Sequence, residues 1–230
     1  MRIDRVLGVD ACKAGWIGVT LAGENTNAYF AENIRDLVAK VEANGTVAVI
    51  AVDMPIGLPD RGHREADTLA RGVIGALRSS VFMTPTRAAL DGVDHATASA
   101  SNKKLTDKGI SIQAFGLKPK LLEVDVWVRS ADRRIIEVHP EVCFAALAGE
   151  PLTAGKKTWA GSEHRRRLLA DAGIVLDGDL GEAGRRAAAD DVLDAAVAAW
   201  TAARYLRGEA TSLPEKPQVF SDGLKSAIWR

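Results

Sequence analysis

Two stretches of the chain are apolar without interruption. Val6-Leu7-Gly8-Val9 and Val47-Ala48-Val49-Ile50-Ala51-Val52 have the composition of strands covered on both faces, and each runs into an aspartate, Asp10 or Asp53. Trp16 to Leu21 and Asn27 to Ala31 predict two more strands, separated by turns at 11–15 and 22–25, so the chain opens as an antiparallel meander. Ile34, Leu37, Val38 and Val41 recur at helical spacing and predict an amphipathic helix over 33–43, closed by Asn44-Gly45. A fourth strand lying parallel to the first would bring Asp10 and Asp53 to one sheet edge, where ligands of such sheets sit. Met54-Pro55-Ile56-Gly57-Leu58-Pro59 then leaves the sheet as a loop, because its two prolines exclude a central strand.

Helical patterning follows over 65–77, 94–108 and 112–128, then a fifth strand over 134–138 that closes with Glu137-Val138-His139-Pro140-Glu141. Pro140 suits the first turn of a helix reaching about Leu147, and Ser162 to Gly173 predicts a basic helix. Residues 174–184 have loop composition, and the last long helix is expected to begin near Gly184. The tail from Leu213 carries Pro214 and Pro217 and is expected to end in a short helix. These elements predict an α/β fold: a mixed five-stranded sheet, strands 1–3 antiparallel with parallel additions, flanked by helices. The whole chain, 1–230, is expected to form one domain with a helical insertion over about 60–130.

The last long helix carries the most unusual pattern. Asp190, Asp191 and Asp194 fall within an arc of about 100° on a helix whose other positions, Val192, Leu193, Ala195, Ala196, Ala199 and Trp200, are apolar. Acids near a helix N-terminus complement its dipole. Three on one stripe also repel one another, which a cation relieves. With Asp10 and Asp53 they make a carboxylate set of the kind that holds Mg²⁺ or Mn²⁺ through hard oxygen ligands, and a metal pair so held activates water without a protein nucleophile.

Composition narrows the options. Lys plus Arg and Asp plus Glu number 30 each, and this zero net charge argues against a protein that coats nucleic acid by bulk electrostatics, though not against a local basic groove. The two cysteines, Cys12 and Cys143, lack metal-type spacing and fit a reducing cytoplasm; no segment resembles a signal peptide or a membrane span. Arg64, Arg71 and Arg78 are seven apart, so one helix face would present all three if the helix runs that far. With Ser79, Ser80 and Arg87 they form either a phosphate-contacting edge or a solvated, ion-paired face. Glu137 and His139 share a strand face, and His139 is either a proton carrier or metal ligand, or a hydrogen-bonded strand end. Lys13 lies in the turn after the first strand, where it is a candidate auxiliary group together with Glu137 and His139.

Gly8-Val9-Asp10 with Gly15-Trp16, Ala51-Val52-Asp53 through Pro59, Arg78-Ser79-Ser80-Val81-Phe82 with Pro85 and Arg87, Glu137 through Glu141, and Asp190-Asp191-Val192-Leu193-Asp194-Ala195 together resemble the DUF429 family, described as predicted nucleases of the RNase H fold. The resemblance spans nearly the whole chain. The wider RNase H-like group, including RuvC-type resolvases, places acids on the first strand, at the end of the fourth, and at i and i+3 on the last helix. Carried over, those positions are Asp10, Asp53, Asp191 and Asp194, with Asp190 able to replace Asp191. The implied activity is metal-dependent hydrolysis of nucleic-acid phosphodiesters, with Mg²⁺ or Mn²⁺ as cofactor and Arg64, Arg71, Arg78, Ser79 and Arg87 facing substrate. The partner expectations are nucleic acid, no membrane, and a homodimer as an open option. Three competing functions stay open: a non-catalytic metal-binding or interaction protein, a hydrolase of small phosphorylated or nucleotide substrates, and an actin- or sugar-kinase-like phosphotransferase. The last fits poorly, because Ala11-Cys12-Lys13-Ala14-Gly15 is not a glycine-rich phosphate loop.

Overall fold

The two uninterrupted apolar runs become neighbouring central strands. In the computed structural model, which describes residues 4–230, β1 (Val6–Cys12), β2 (Gly15–Ala22) and β3 (Asn25–Ala31) form the antiparallel meander. Helix α1 (Ile34–Glu42) is capped by Asn33, whose side chain accepts a hydrogen bond from the Asp36 amide. It returns the chain to β4 (Val49–Val52), which lies parallel to β1 with Val6 opposite Val49 and Val9 opposite Val52. Between β4 and β5 (Ile135–Val138) lies a helical insertion: α2 (Glu65–Val73), two 3-10 segments at 75–80 and 87–91, α3 (His95–Thr106), α4 (Ile112–Gly116) and α5 (Lys118–Ser130). After β5 come α6 (Pro140–Ala148), α7 (Trp159–Asp171), α8 (Gly181–Arg186) and α9 (Ala189–Leu206), then β6 (Ser212–Val219) and β7 (Lys225–Trp229).

The sheet has seven strands, not five, in the order β3-β2-β1-β4-β5-β7-β6. Its first five strands and the insertion are consistent with an RNase H-like core; β6 and β7 are additions. The tail therefore ends in a strand rather than a short helix. Pro214 and Pro217 are tolerated because β6 is the outermost strand, where a missing N–H leaves no central ladder bond unmade. β7 is the inner of the two, parallel to β5, and buries Ser226, Ala227 and Ile228. Two helix boundaries also differ from the spacing. α2 stops at Val73 before Gly75, and the acidic helix starts at Ala189, with the separate short α8 ahead of it. No helix among the described residues is long and apolar enough to cross a membrane. Both cysteines are free and buried.

Strand alternation sorts the core into two layers. Leu7, Val9, Ile50 and Val52 face α1 and α5, packing with Leu37, Leu121 and Trp127. Val6, Val49 and Ala51 face the other way and pack with Ala195, Ala196 and Ala198 of α9. Gly8 and Asp10, two and four residues after Val6, share the α9 side, as does Asp53 after Ala51. A β-carbon on Gly8 would lie 2.1 Å from both the Ala195 carbonyl oxygen and the Ala199 nitrogen. The bare glycine therefore lets α9 lie directly on β1, with alanines completing the contact. That close approach sets the distance between the end of β1 and the first turns of α9.

Candidate functional site

Four carboxylates meet where β1, β4 and α9 converge. The Asp53 amide donates to the Val9 carbonyl oxygen at 2.9 Å, extending the β1–β4 ladder by one step and setting Asp53 beside Asp10. Asp194, in the second turn of α9, is almost wholly buried. Asp191, one turn earlier, caps its own helix by accepting from the Ala188 amide at 3.2 Å. Asp10, Asp53, Asp191 and Asp194 all line one cavity of about 250 Å³. The insertion supplies another wall through Asp67, Ser80, Phe82, Gln113 and Leu117, and β5 with the start of α6 contributes Glu137, His139 and Glu141.

A lysine that local sequence patterning did not single out sits among these acids. The Lys156 ammonium contacts the Asp194 carboxylate and lies 3.9 Å from Asp190. The other Asp194 oxygen, Oδ1, is buried without a hydrogen-bond partner. Burial raises the Asp10 carboxyl well above its ordinary range, and the neighbouring Asp53 and Asp194 charges push it further, against Lys156. Burial likewise raises Asp53 and Asp194 to about 7, with Lys156 the main opposing influence on each. Asp191 is raised by burial, and less so by Asp190. Burial alone would lower Lys156; the Asp194 carboxylate, with Asp10 and Asp53 behind it, more than offsets this and holds the ammonium charged.

The donor set has the chemistry of a hard divalent-cation site, and a buried carboxylate oxygen without a partner is the kind of atom such an ion satisfies. In the present side-chain arrangement, however, no set of three or more His, Cys, Asp or Glu groups among the described residues is positioned to hold one ion. Lys156 occupies part of that role.

The other candidates divide sharply. His139 faces the Ser80 carbonyl oxygen through Nε2 at 3.4 Å, so Nε2 carries the proton; Nδ1 is buried without a partner, and burial lowers the ring to about 4, leaving it neutral. Glu137 accepts from the Ile56 amide at 2.7 Å and pairs with Arg64. Arg64 is fully buried and also reaches Asp67 at 3.3 Å, so it braces the loop after Asp53 instead of offering a free charge to substrate. Arg87 is held by Asp125 and Asp222, ties the insertion to the β6–β7 connection, and lies outside the cavity lining. Arg71 donates to the Val81 carbonyl oxygen at 2.7 Å. Arg78 and Ser79 are exposed on the 3-10 segment, so Arg64, Arg71 and Arg78 do not share one helix face. Lys13 is exposed in the β1–β2 turn and does not line the cavity.

A protein-family model described as "Protein of unknown function (DUF429)" matches residues 8–219. The chain belongs to the DUF429 family. No curated protein and no solved structure matches it. Within this DUF429 chain, the matched span includes every carboxylate of the cavity and Lys156.

Beneath the cavity of the DUF429 protein, Arg165 of α7 forms a forked pair with Glu141, at 2.7 and 2.6 Å, with the guanidinium wholly buried. Its other nitrogen donates to the Ala154 and Gly161 carbonyl oxygens, fixing both ends of the loop that carries Lys156. Replacing Arg165 by methionine is expected to destabilise the fold by about 3–5 kcal/mol, because Glu141 becomes a buried charge without its partner. Chemical denaturation would measure this. The double replacement Arg165→Met/Glu141→Leu should recover much of the loss.

Proposed function

We propose that this protein is a divalent-metal-dependent phosphodiesterase acting on nucleic acid. The observation that carries the reading is the convergence of Asp10, Asp53 and Asp194 from three separate elements onto one cavity, with one Asp194 oxygen buried and unpartnered. The RNase H-like arrangement of the core is compatible with it. Asp10, Asp53 and Asp194 would hold Mg²⁺ or Mn²⁺, with Asp191, which lines the cavity, or Asp190 completing the set. When bound, such ions supply an activated water and stabilise the departing oxygen of a phosphodiester. Lys156 holds a positive charge at the carboxylates and is available to a phosphate oxygen. His139, neutral, lines the same cavity with its Nδ1 buried. Of the residues proposed to face substrate, Arg78 and Ser79 are exposed on the insertion, Arg71 is held by the Val81 carbonyl oxygen, and Arg64 and Arg87 act as braces.

The test is a cleavage screen in Mg²⁺ and in Mn²⁺ over single-stranded, duplex, hybrid and branched DNA and RNA, with Asp10→Asn and Asp194→Asn proteins alongside. Cleavage by the parent that both variants lose is the expected result. Absence of cleavage on every substrate, together with no metal-induced rise in melting temperature, would overturn the reading. A second reading, a non-catalytic charge cluster closed by Lys156, is favoured by the Lys156–Asp194 contact. It predicts that added metal leaves the melting temperature unchanged.

A further inference from the structure

The loop that brings Lys156 to the carboxylates also displays an aromatic ring to solvent. Trp159 is 84% exposed, whereas Trp16 and Trp127 are buried in the core. Lys157, between Lys156 and the start of α7, is exposed. Arg166, seven positions beyond Trp159, shares its helix face and is exposed too.

This segment is built to hold its shape. The Thr158 hydroxyl accepts from the Gly161 amide at 3.0 Å, capping α7. The Thr158 amide and hydroxyl both donate to the Gly155 carbonyl oxygen, closing a turn around the two lysines. A β-carbon on Gly161 would lie 2.1 Å from that same Gly155 oxygen, so the loop and helix are in direct backbone contact. Arg165 adds its hydrogen bonds to Ala154 and Gly161 from below. An indole with no packing role, on a braced turn between two lysines and an arginine, has the composition of a stacking platform for nucleic acid.

We propose that Lys157 and Trp159 grip a single-stranded segment of the substrate, the indole stacking on an unpaired base and the ammonium meeting a neighbouring phosphate, so that the strand enters the Asp10–Asp53–Asp194 cavity beside Lys156. This rests on the nuclease reading and specifies its substrate. An indole face needs the exposed face of a base, which single strands offer and the interior of a duplex does not.

The experiment compares binding of end-labelled single-stranded and duplex oligonucleotides, as DNA and as RNA, by fluorescence anisotropy. The proteins are Asp10→Asn, which keeps substrate intact, and the same protein carrying Trp159→Ala, Trp159→Phe or Lys157→Ala. Trp159→Ala is expected to weaken single-strand binding roughly 5- to 100-fold and Trp159→Phe far less, with duplex binding unchanged. Lys157→Ala should reduce the salt dependence of binding by about one phosphate contact. Whichever sugar shows the larger Trp159 effect identifies the strand as DNA or RNA. Equal single-strand affinity with and without the indole, in a protein whose parent cleaves nucleic acid, would overturn this inference and leave the nuclease reading standing. A parent that neither binds nor cleaves any oligonucleotide would overturn both.

Discussion

The Asp10→Asn protein is expected to melt at a higher temperature than the parent in the absence of divalent metal, and to have lost cleavage. Asp10 is 6% exposed and lies against Asp53 and Asp194. Replacing its carboxyl by an amide keeps an oxygen to accept from the Ala11 amide, now at 2.7 Å, while removing a group whose ionised form burial and its acidic neighbours oppose. Relief of that kind adds roughly 0.5–2 kcal/mol when a site residue is neutralised. Its cost falls on chemistry: a lost metal ligand forfeits several kcal/mol of transition-state stabilisation, at least about a hundredfold in rate.

The same charges set the pH dependence. Asp53 and Asp194 titrate near 7 in the folded chain against an ordinary value of 3.8. The folded state therefore binds more protons than the unfolded state between those values. The contribution of these groups to stability is greatest below about pH 4 and is lost as pH rises through about 7 in metal-free protein. Protons compete with metal for the same oxygens, so the metal-induced rise in melting temperature should be small near pH 6 and large near pH 8. Melting curves across that range, with and without Mn²⁺, would check both slopes, and both should flatten in Asp10→Asn. A parent whose response to Mn²⁺ does not change with pH would contradict this account.

Gly8→Ala is expected to be among the most damaging single-methyl changes in the chain. The added β-carbon would meet the backbone of α9 on two sides, and backbone cannot turn aside as a side chain can. α9 must lift from β1, at a cost of about 3 kcal/mol or more, the upper range for overpacking. The shift also separates Asp194 from Asp10, so metal response and activity should fall with stability. Gly72→Ala is the control. Nothing lies within 4 Å of its new carbon, and alanine inside a helix should be neutral or stabilise by up to about 1 kcal/mol. Urea midpoints with unchanged slopes would measure the pair. A Gly8→Ala protein as stable as the parent would mean that close approach of α9 to β1 does not position the site.

Several features were legible along the chain because they depend on neighbours a few positions away. β1 and β4 announce themselves by apolar runs, and each run leads into the acid that the sheet presents to α9. Asp191 and Asp194 share a face because helical geometry alone puts residues three apart together. Their positions carry most of the carboxylate arrangement, and with β1 to β5 most of the sheet.

Only tertiary structure decided the rest, since charge and burial are separate properties that the letters do not distinguish. Arg64 and Arg78 look alike in sequence; one is sealed against Glu137 and Asp67, and the other is in water. Lys156 reaches an acid 38 positions away, and the Leu58 amide donates to Asp222 across 164. No local period records contacts of that length. The tail, expected to end in a short helix, instead forms β6 and β7, and the sheet order places the prolines of β6 at an edge, where a proline leaves no ladder bond unmade. Local periodicity determined which acids each element would carry; long-range packing decided which cation would meet them, because only folding brings a distant lysine and a wall of the insertion to the same cavity.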